Sequence, residues 1–508
     1  MTGSVPRVVV AGTSSGVGKT TVATGLMAAL AARGLAVAAF KVGPDFIDPS
    51  YHALATGRPA RNLDAFLSGP DLVAPLFAHG AAGADVAVVE GVMGLFDGAS
   101  GRGELASTAQ VAKLLDAPVL LVVDAGAMAR SVAAMVHGYA TFDPGLRVAG
   151  VVCNRVGSPR HTQLLHEALE PLGVPLLGTL PRSDALRTPS RHLGLVPVAE
   201  RPGDAREAVR GLGVRVAAAL DLEAVLALAR SAPAVPALPW APLELDRTRA
   251  PAATRRPAAT GAPAATGRRT ATGTPAAAGT PAAAGAPAAG RSAAAGAPAA
   301  AGPPLRGSPG PAGPGGRAHR VAVAGGPAFS FVYTENLELL AAAGAELLPL
   351  DPTRDEALPD GTQALYLGGG FPEAYAEALS ANAPLRRAVA GFGGPVLAEC
   401  GGLLYLCREL DGLPMCGVLP AGAAMTDRLV LGYREAEAAT GSALWARGER
   451  ARGHEFHYSA VTPGAGPAPA WHLGRPEGFV AGRVHASYLH THWAATPQVA
   501  RRFLEVAA

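Results

Sequence analysis

Apolar residues in this chain cluster in short runs that do not alternate with polar ones. RVVVA (7–11), LAVAAF (35–40), DVAVVE (85–90), APVLLVVD (117–124) and RVAGVVC (147–153) are each bounded by Gly, Asp or Pro. A strand with one wet face alternates apolar and polar positions. Runs that are apolar throughout, separated by helix-length stretches, predict a parallel sheet with helices on both faces. HRVAVA (319–324), AELLPL (345–350), QALYLGGG (363–370) and PVLAEC (395–400) repeat the design. Both blocks therefore read as α/β. In such sheets ligands sit beyond the carboxyl ends of the strands, so the residues just after each run are the candidates for chemistry.

Between the blocks the pattern vanishes. From Pro251 to Gly316 the chain repeats variants of GTPAAAGAPAA, and Leu305 is the one apolar side chain there larger than proline. Such a composition buries too little surface to offset the entropy of ordering, which predicts a disordered linker. A length of 508 residues exceeds what one core sustains. The division is a P-loop domain at 1–245, a linker at 246–317 and a second domain at 318–508.

Charge changes the picture only once the linker is set aside. The net charge is +3, but nine arginines and no acidic residue lie between Arg247 and Arg317, so the rest of the chain carries −6. The basic segment is sparse and has no interleaved aromatics, which argues against nucleic acid. Four irregularly spaced cysteines exclude a disulfide scaffold. No bilayer-length apolar window occurs, and the first strand begins too early for a signal peptide, which predicts a cytoplasmic protein without a membrane anchor.

The first strand ends in AGTSSGVGKTT (11–21). Gly12, Gly16 and Gly18 allow backbone amides to face a phosphate, Lys19 adds a point charge, and Thr20 can ligate Mg²⁺. Five residues separate Gly12 from GKT instead of the usual four. The strand before and the expected amphipathic helix after it (22–33) supply the context that phosphate binding needs. Lysine is rare here, with only Lys19, Lys41 and Lys113 against forty arginines. A lysine inside a phosphate motif therefore marks a place where arginine does not serve. Glu90 ends the third run, where it can hold Mg²⁺, and Asp97 follows in GVMGLFDG. KVGPDFIDPSYH (41–52) crowds Lys41, Asp45 and Asp48 into one loop, suited to a metal and a charged substrate.

In the second block, PVLAECGGLLYL (395–406) sets Cys400 between a strand and a helix. That turn exposes a thiol and aims a helix N-terminus at it, which predicts a lowered thiol pKa. LGGGFPE (367–373) offers the Gly369 and Gly370 amides as an oxyanion hole.

Taken together, KVGPDFIDPSYH, VEGVMGLFDG, GVVCNRVGSPRH (150–161) and PSRHLGLVP (189–197) resemble the a,c-diamide synthases of cobalamin biosynthesis. The resemblance implies a dethiobiotin-synthetase-like first half and a flavodoxin-like glutamine amidotransferase second half, of the cobyric-acid-synthase kind. It implies that ATP, glutamine and a corrinoid, cobyrinic or hydrogenobyrinic acid, are the ligands. Asn154 would read the adenine, and the His192 loop would border the substrate. Lys41, Asp45, Asp48, Glu90 and Asp97 would surround magnesium, the γ-phosphate and the substrate carboxylate.

VHASYLHTHW (484–493) resembles the histidine segment of those amidotransferases and makes His490 the base, with His485, His492, His454 and His457 as competitors. Commoner class I enzymes carry Glu two residues after that histidine. Position 492 is His, which predicts a Cys–His dyad. Gly326 stands where the family usually has Asp. A homodimer is compatible with this reading.

Two rivals are cobyric acid synthase, whose substrate loop would differ from KVGPDFIDP, and a ParA/MinD-like ATPase switch. The switch would leave Cys400, GGGFPE and His490 without a role. If the linker is a passive tether, deletion of residues 251–316 leaves catalysis nearly intact, and trypsin cuts the full chain into two domain-sized pieces. Loss of glutamine-driven but not ammonia-driven turnover on deletion would show instead that the linker positions the domains.

Overall fold

The apolar runs of the first block are strands, and several are buried along their whole length. In this computed structural model, which describes residues 5–182, 190–191, 194–195, 202–235, 237–242 and 318–507, they are β1 (Arg7–Gly12), β2 (Val37–Val42), β4 (Val86–Glu90), β5 (Val119–Asp124) and β6 (Val148–Val156). Two edge strands, the short β3 (Arg61–Leu63) and β7 (Leu176–Pro181), complete a seven-stranded parallel sheet in the order β3-β2-β4-β1-β5-β6-β7. The linker (246–317) and His192 lie outside the described residues.

Register builds the first site. Val10 of β1 lies opposite Glu90 of β4, and Lys41 of β2 lies opposite the same Glu90. The loop after β1 and the ends of β2 and β4 therefore open side by side. Helices α1 (Lys19–Ala32) and α2 (Ile47–Thr56) leave that edge.

The helix expected at 22–33 starts three residues earlier and is not amphipathic: Val22, Ala23, Leu26, Met27, Ala29 and Leu30 are all buried. The sheet covers one side of it and α3 (Pro202–Ala219) covers the other, with Val216 packed against Gly25. A helix sandwiched in this way has no wet face to pattern.

The second block holds two sheets. The first contains β8 (His319–Ala324), β9 (Ala345–Leu350), β10 (Ala364–Leu367), β11 (Val396–Glu399), β14 (Phe479–Ala481) and β15 (Val484–Ser487), ordered β9-β8-β10-β11-β15-β14. Only the edge strand β14 is antiparallel. The other sheet centres on a long antiparallel hairpin, β12 (Gly422–Ala438) with β13 (Arg450–Thr462), to which β16 (His490–Thr491) pairs through His454 and His490. Helices α4 (Thr334–Ala342) and α5 (Gly401–Leu406) follow β8 and β11.

The position expected to hold Asp has a substitute. Gly326 has φ 78°, and a Cβ there would lie 2.5 Å from the Asp351 carboxylate. Asp351 follows β9, and its Oδ1 accepts from the Thr353 amide (3.0 Å) and hydroxyl (2.6 Å). A carboxylate thus fills the space from the neighbouring strand.

Buried charge joins the two blocks. Arg61 donates to Glu335 of α4 at 2.8 Å and forms a two-pronged pair with Glu338, which also meets His79. Burial disfavours the Glu335 carboxylate, but Arg61 and His492 hold its pKa down at about 2. The Tyr433 hydroxyl of β12 donates to Asp64 at 2.7 Å, and Arg452 of β13 donates to the Phe66 carbonyl.

Arg61→Ala strands two carboxylates at this contact, and breaking a buried pair in this way costs about 3–5 kcal/mol. Urea unfolding should show that loss. Arg61→Ala with Glu335→Leu and Glu338→Leu should recover much of it.

Candidate functional site

The loop after β1 leads through Gly18 into α1. Gly18 holds φ 103°, and a side chain there would collide with the Asn154 amide, so only glycine closes the loop. Lys19 Nζ rests on the Ser14 carbonyl at 2.9 Å. Burial, then the nearby Lys41 ammonium, lowers its pKa to about 8. The Thr20 hydroxyl lies 2.6 Å from Glu90 and 3.2 Å from Asp48.

Lys41 is the centre of charge. Its ammonium lies 2.6 Å from Asp48, 2.8 Å from Glu90 and 3.7 Å from Asp45. Burial works against the charged lysine, but these carboxylates raise its proton affinity. Glu90 is held low by Lys41 and by His52, whose Nε2 sits 2.6 Å from its other oxygen. Asp48 carries the surplus negative charge, and burial together with Asp45 pushes its proton affinity up. Three carboxylates face two lysines in a dry pocket. Hard oxygen donors with surplus negative charge suit Mg²⁺, and they relieve that charge when the ion binds. Among the described residues no group of three or more His, Cys, Asp or Glu could hold a metal ion unaided. Any ion here therefore needs oxygens from a bound phosphate or water.

The other first-block residues divide. Asp45 also accepts from the Ile47 amide at 2.8 Å and so starts α2. Asp97 accepts from the Gly94 amide at 3.0 Å and closes its own loop. Asn154, at the end of β6, donates to the Val17 carbonyl at 2.9 Å, which places it against the phosphate loop. Asn62 was missed by sequence reasoning, yet it donates to the carbonyls of Gly43 (2.8 Å) and Asp45 (2.7 Å) and braces the Lys41–Asp48 loop.

In the second block Cys400 sits on a strained turn, φ 48° and ψ −97°, between β11 and α5, and its amide donates to Ser487 O at 2.8 Å. Such a left-handed cysteine is a feature of a nucleophile elbow. The expected lowering of its pKa is not found. Burial and the carboxylates of Glu373, Glu399 and Glu455 push the thiol up, and only the Gly401 amide opposes them to any extent. Helix α5 has six residues, too short to offset that burial.

His490 lies against Gly369, near enough that a side chain there would strike its ring. The Gly369 amide already donates to Phe331 O at 2.9 Å, because the two residues form a β-bridge. As an oxyanion donor it is therefore engaged. The Gly370 amide turns toward the elbow, 3.1 Å from where a Gly401 Cβ would stand.

Three of the competing histidines meet other groups. His492 Nε2 faces Glu335 at 3.4 Å, His485 lies 3.2 Å from the Ser442 hydroxyl, and His457 stacks on Tyr488. His454 stacks on His490 at 4.9 Å. Glu399, read only as the end of a strand, approaches His490 Nδ1 to 3.8 Å.

One aromatic cluster touches both sites. Phe46, between Asp45 and Ile47, lies 4.7 Å from Phe331, 5.5 Å from Phe371 and 6.0 Å from Phe456. The Phe331 ring is 4.8 Å from His490, and the Phe456 carbonyl lies 4.0 Å from Cys400 Sγ.

Comparison with known proteins agrees with this two-site layout. A family model for the CobQ/CobB/MinD/ParA nucleotide binding domain matches residues 8–196, and one for the CobB/CobQ-like glutamine amidotransferase domain matches residues 320–498. The chain is 58% identical to the hydrogenobyrinate a,c-diamide synthase of Streptomyces coelicolor, over 99% of this chain and 97% of that one. It is 48% identical to the protein of the same name from Thermobifida fusca, over 98% and 96% of the two chains. It is 42% identical to the cobyrinate a,c-diamide synthase of Syntrophotalea carbinolica, over 99% and 98%.

Proposed function

The chain belongs to the a,c-diamide synthase family, and from that premise we propose that it amidates the a and c side-chain carboxylates of hydrogenobyrinic acid. Glutamine is the nitrogen donor and ATP the activating co-substrate. The observation that carries this reading is near-full-length similarity to relatives of that name, combined with a phosphate loop and a cysteine elbow in one chain. The relatives named for the metal-free corrinoid are more similar than the one named for cobyrinate, which favours the metal-free substrate.

The chemistry divides between the blocks. Cys400 sulfur bonds to the amide carbon of glutamine, and its proton passes through His490 to the departing nitrogen. Ammonia leaves, and water releases glutamate from the thioester. The amides of Gly370 and Gly401 are placed to receive the oxyanion. In the other half a corrinoid carboxylate oxygen bonds to the γ-phosphorus of ATP, and ADP departs. Ammonia attacks the acyl carbon, loses a proton and displaces phosphate. Two rounds give the diamide.

Residues 12–20 cradle the phosphates, Asn154 lies at the adenine end, and Lys19 with Lys41 neutralises charge during transfer. Thr20 and Glu90, with Asp48 beside them, would hold a magnesium ion, which offsets phosphate charge when bound. Asp45 and Asp97 shape the substrate side of the pocket, while His192 lies outside the described residues. The Phe46 cluster keeps water from the ground between the sites, where ammonia crosses in its neutral form. We place the reaction in the cytoplasm; four free cysteines and the lack of any described helix long and apolar enough to span a membrane agree with that.

Cys400→Ser should abolish glutamine-driven synthesis and spare ammonia-driven synthesis. Lys19→Ala should abolish both. Equal loss of both activities in folded Cys400→Ser, or wild-type rates in Lys19→Ala, would overturn the respective assignment. Assayed side by side, hydrogenobyrinic acid should be turned over in preference to cobyrinic acid. The opposite preference would move the chain to the cobalt-bearing substrate.

A further inference from the structure

His490 Nδ1 is sealed from solvent and has no hydrogen-bond partner among the described residues. An acceptor stands 3.8 Å away, Glu399 Oε2, and the two side chains are only 1% and 4% exposed. Three donors already serve that carboxylate. The Thr491 amide (3.1 Å) and hydroxyl (3.0 Å) reach Oε1, and the Tyr366 hydroxyl (3.0 Å) reaches Oε2. A carboxylate accepts about four hydrogen bonds. One place is therefore open, on the oxygen that approaches His490.

The carboxylate is also held firmly. Tyr366 receives a hydrogen bond from Asn336 and stacks on Trp493, while Asn336 bonds both the Thr491 carbonyl and the Trp493 amide. We infer that Glu399 is the positioning carboxylate of the glutaminase site, keeping a proton on His490 Nδ1 so that Nε2 is free to take the proton of Cys400. This rests on the assignment of Cys400 and His490 above.

The position where commoner class I enzymes carry Glu is His492, and it is directed at Glu335 instead. Here the carboxylate arrives from the residue just before the nucleophile, carried by β11. The gap exceeds a hydrogen bond by about 0.8 Å. Such contacts are often long without substrate and tighten in the reacting complex. Taking the thiol proton turns His490 into a buried cation, which is costly unless paired. Its described ring neighbours offer no anion: His454 is kept neutral by burial and by His490, and Phe331 carries no charge. Cys400 becomes anionic only as His490 gains its charge, so Glu399 is the standing counter-charge.

Glu399→Gln should lower kcat for glutamine hydrolysis by about 10²-fold or more, with KM for glutamine and ammonia-driven synthesis little changed. The acidic limb of its kcat/KM profile should move to lower pH, since His490 loses the carboxylate that favours its charged form. Glu399→Asp should restore part of the rate and of the limb. A folded Gln variant with near-wild-type kcat and an unmoved limb overturns the proposal, as does equal loss of both nitrogen routes. If the Gln variant does not fold, ¹⁵N-histidine NMR of the wild-type enzyme bearing a chloroketone glutamine analogue on Cys400 decides. A protonated, hydrogen-bonded His490 Nδ1 supports the proposal, and an unprotonated one overturns it. Cys400→Ser that retains glutamine-driven synthesis would instead remove the reading on which this proposal rests.

Discussion

The two halves are held together at a place where losing the contact is expensive. Arg61, Glu335 and Glu338, with His79 and His492 beside them, form an ionic cluster from both blocks, and Arg61, Glu335 and His492 are its most buried members. A hydrophobic contact tolerates sliding, because its energy follows area and not direction. A buried ion pair does not, since a small displacement leaves charges unpaired. Arg61 is next to Asn62, which braces the Lys41–Asp48 loop, and His492 is two residues from His490. The same contact therefore fixes the Lys41–Asp48 loop and the strand that carries His490.

That rigidity matters because each site is electrostatically incomplete. The first holds more carboxylates than cations and is relieved by what binds there. The second holds a thiol that burial and nearby carboxylates keep protonated. Neither is primed at rest, and the aromatic cluster that touches both is a poor setting for charged species. An apolar region of this kind disfavours ammonium more than neutral ammonia, which is the form in which the proposed transfer would occur.

Much of this was legible in the residues, for identifiable reasons. The parallel strands could be read because burial on both faces leaves uniform apolar runs, as in Val86–Glu90. Strand β3 could not, being three residues, Arg-Asn-Leu, whose role comes from its neighbours. The β12–β13 hairpin was missed as well. Its first strand, including TDRLVLGYREAEA, is largely exposed and carries no period that separates strand from helix. Cys400 and His490 announce themselves through local motifs, although one follows β11 and the other lies in β16 of the second sheet. His52, Asn62 and Glu399 do not, because their roles arise from side chains that meet only after folding. The expectation of a lowered thiol pKa failed because a turn's shape is written in sequence, whereas the depth of its burial is not.

Asp351 at Gly326 bears on how such a site can change over descent. A chain with aspartate at both positions would press two carboxylates into one space, and at 326 the residue would also sit at a φ that favours glycine. A chain with neither would leave the Thr353 amide and hydroxyl without the acceptor they use. Single replacements from one arrangement to the other thus pass through a crowded or a vacant intermediate, whichever comes first. Positions 326 and 351 therefore share one space, and what either can become depends on what the other is.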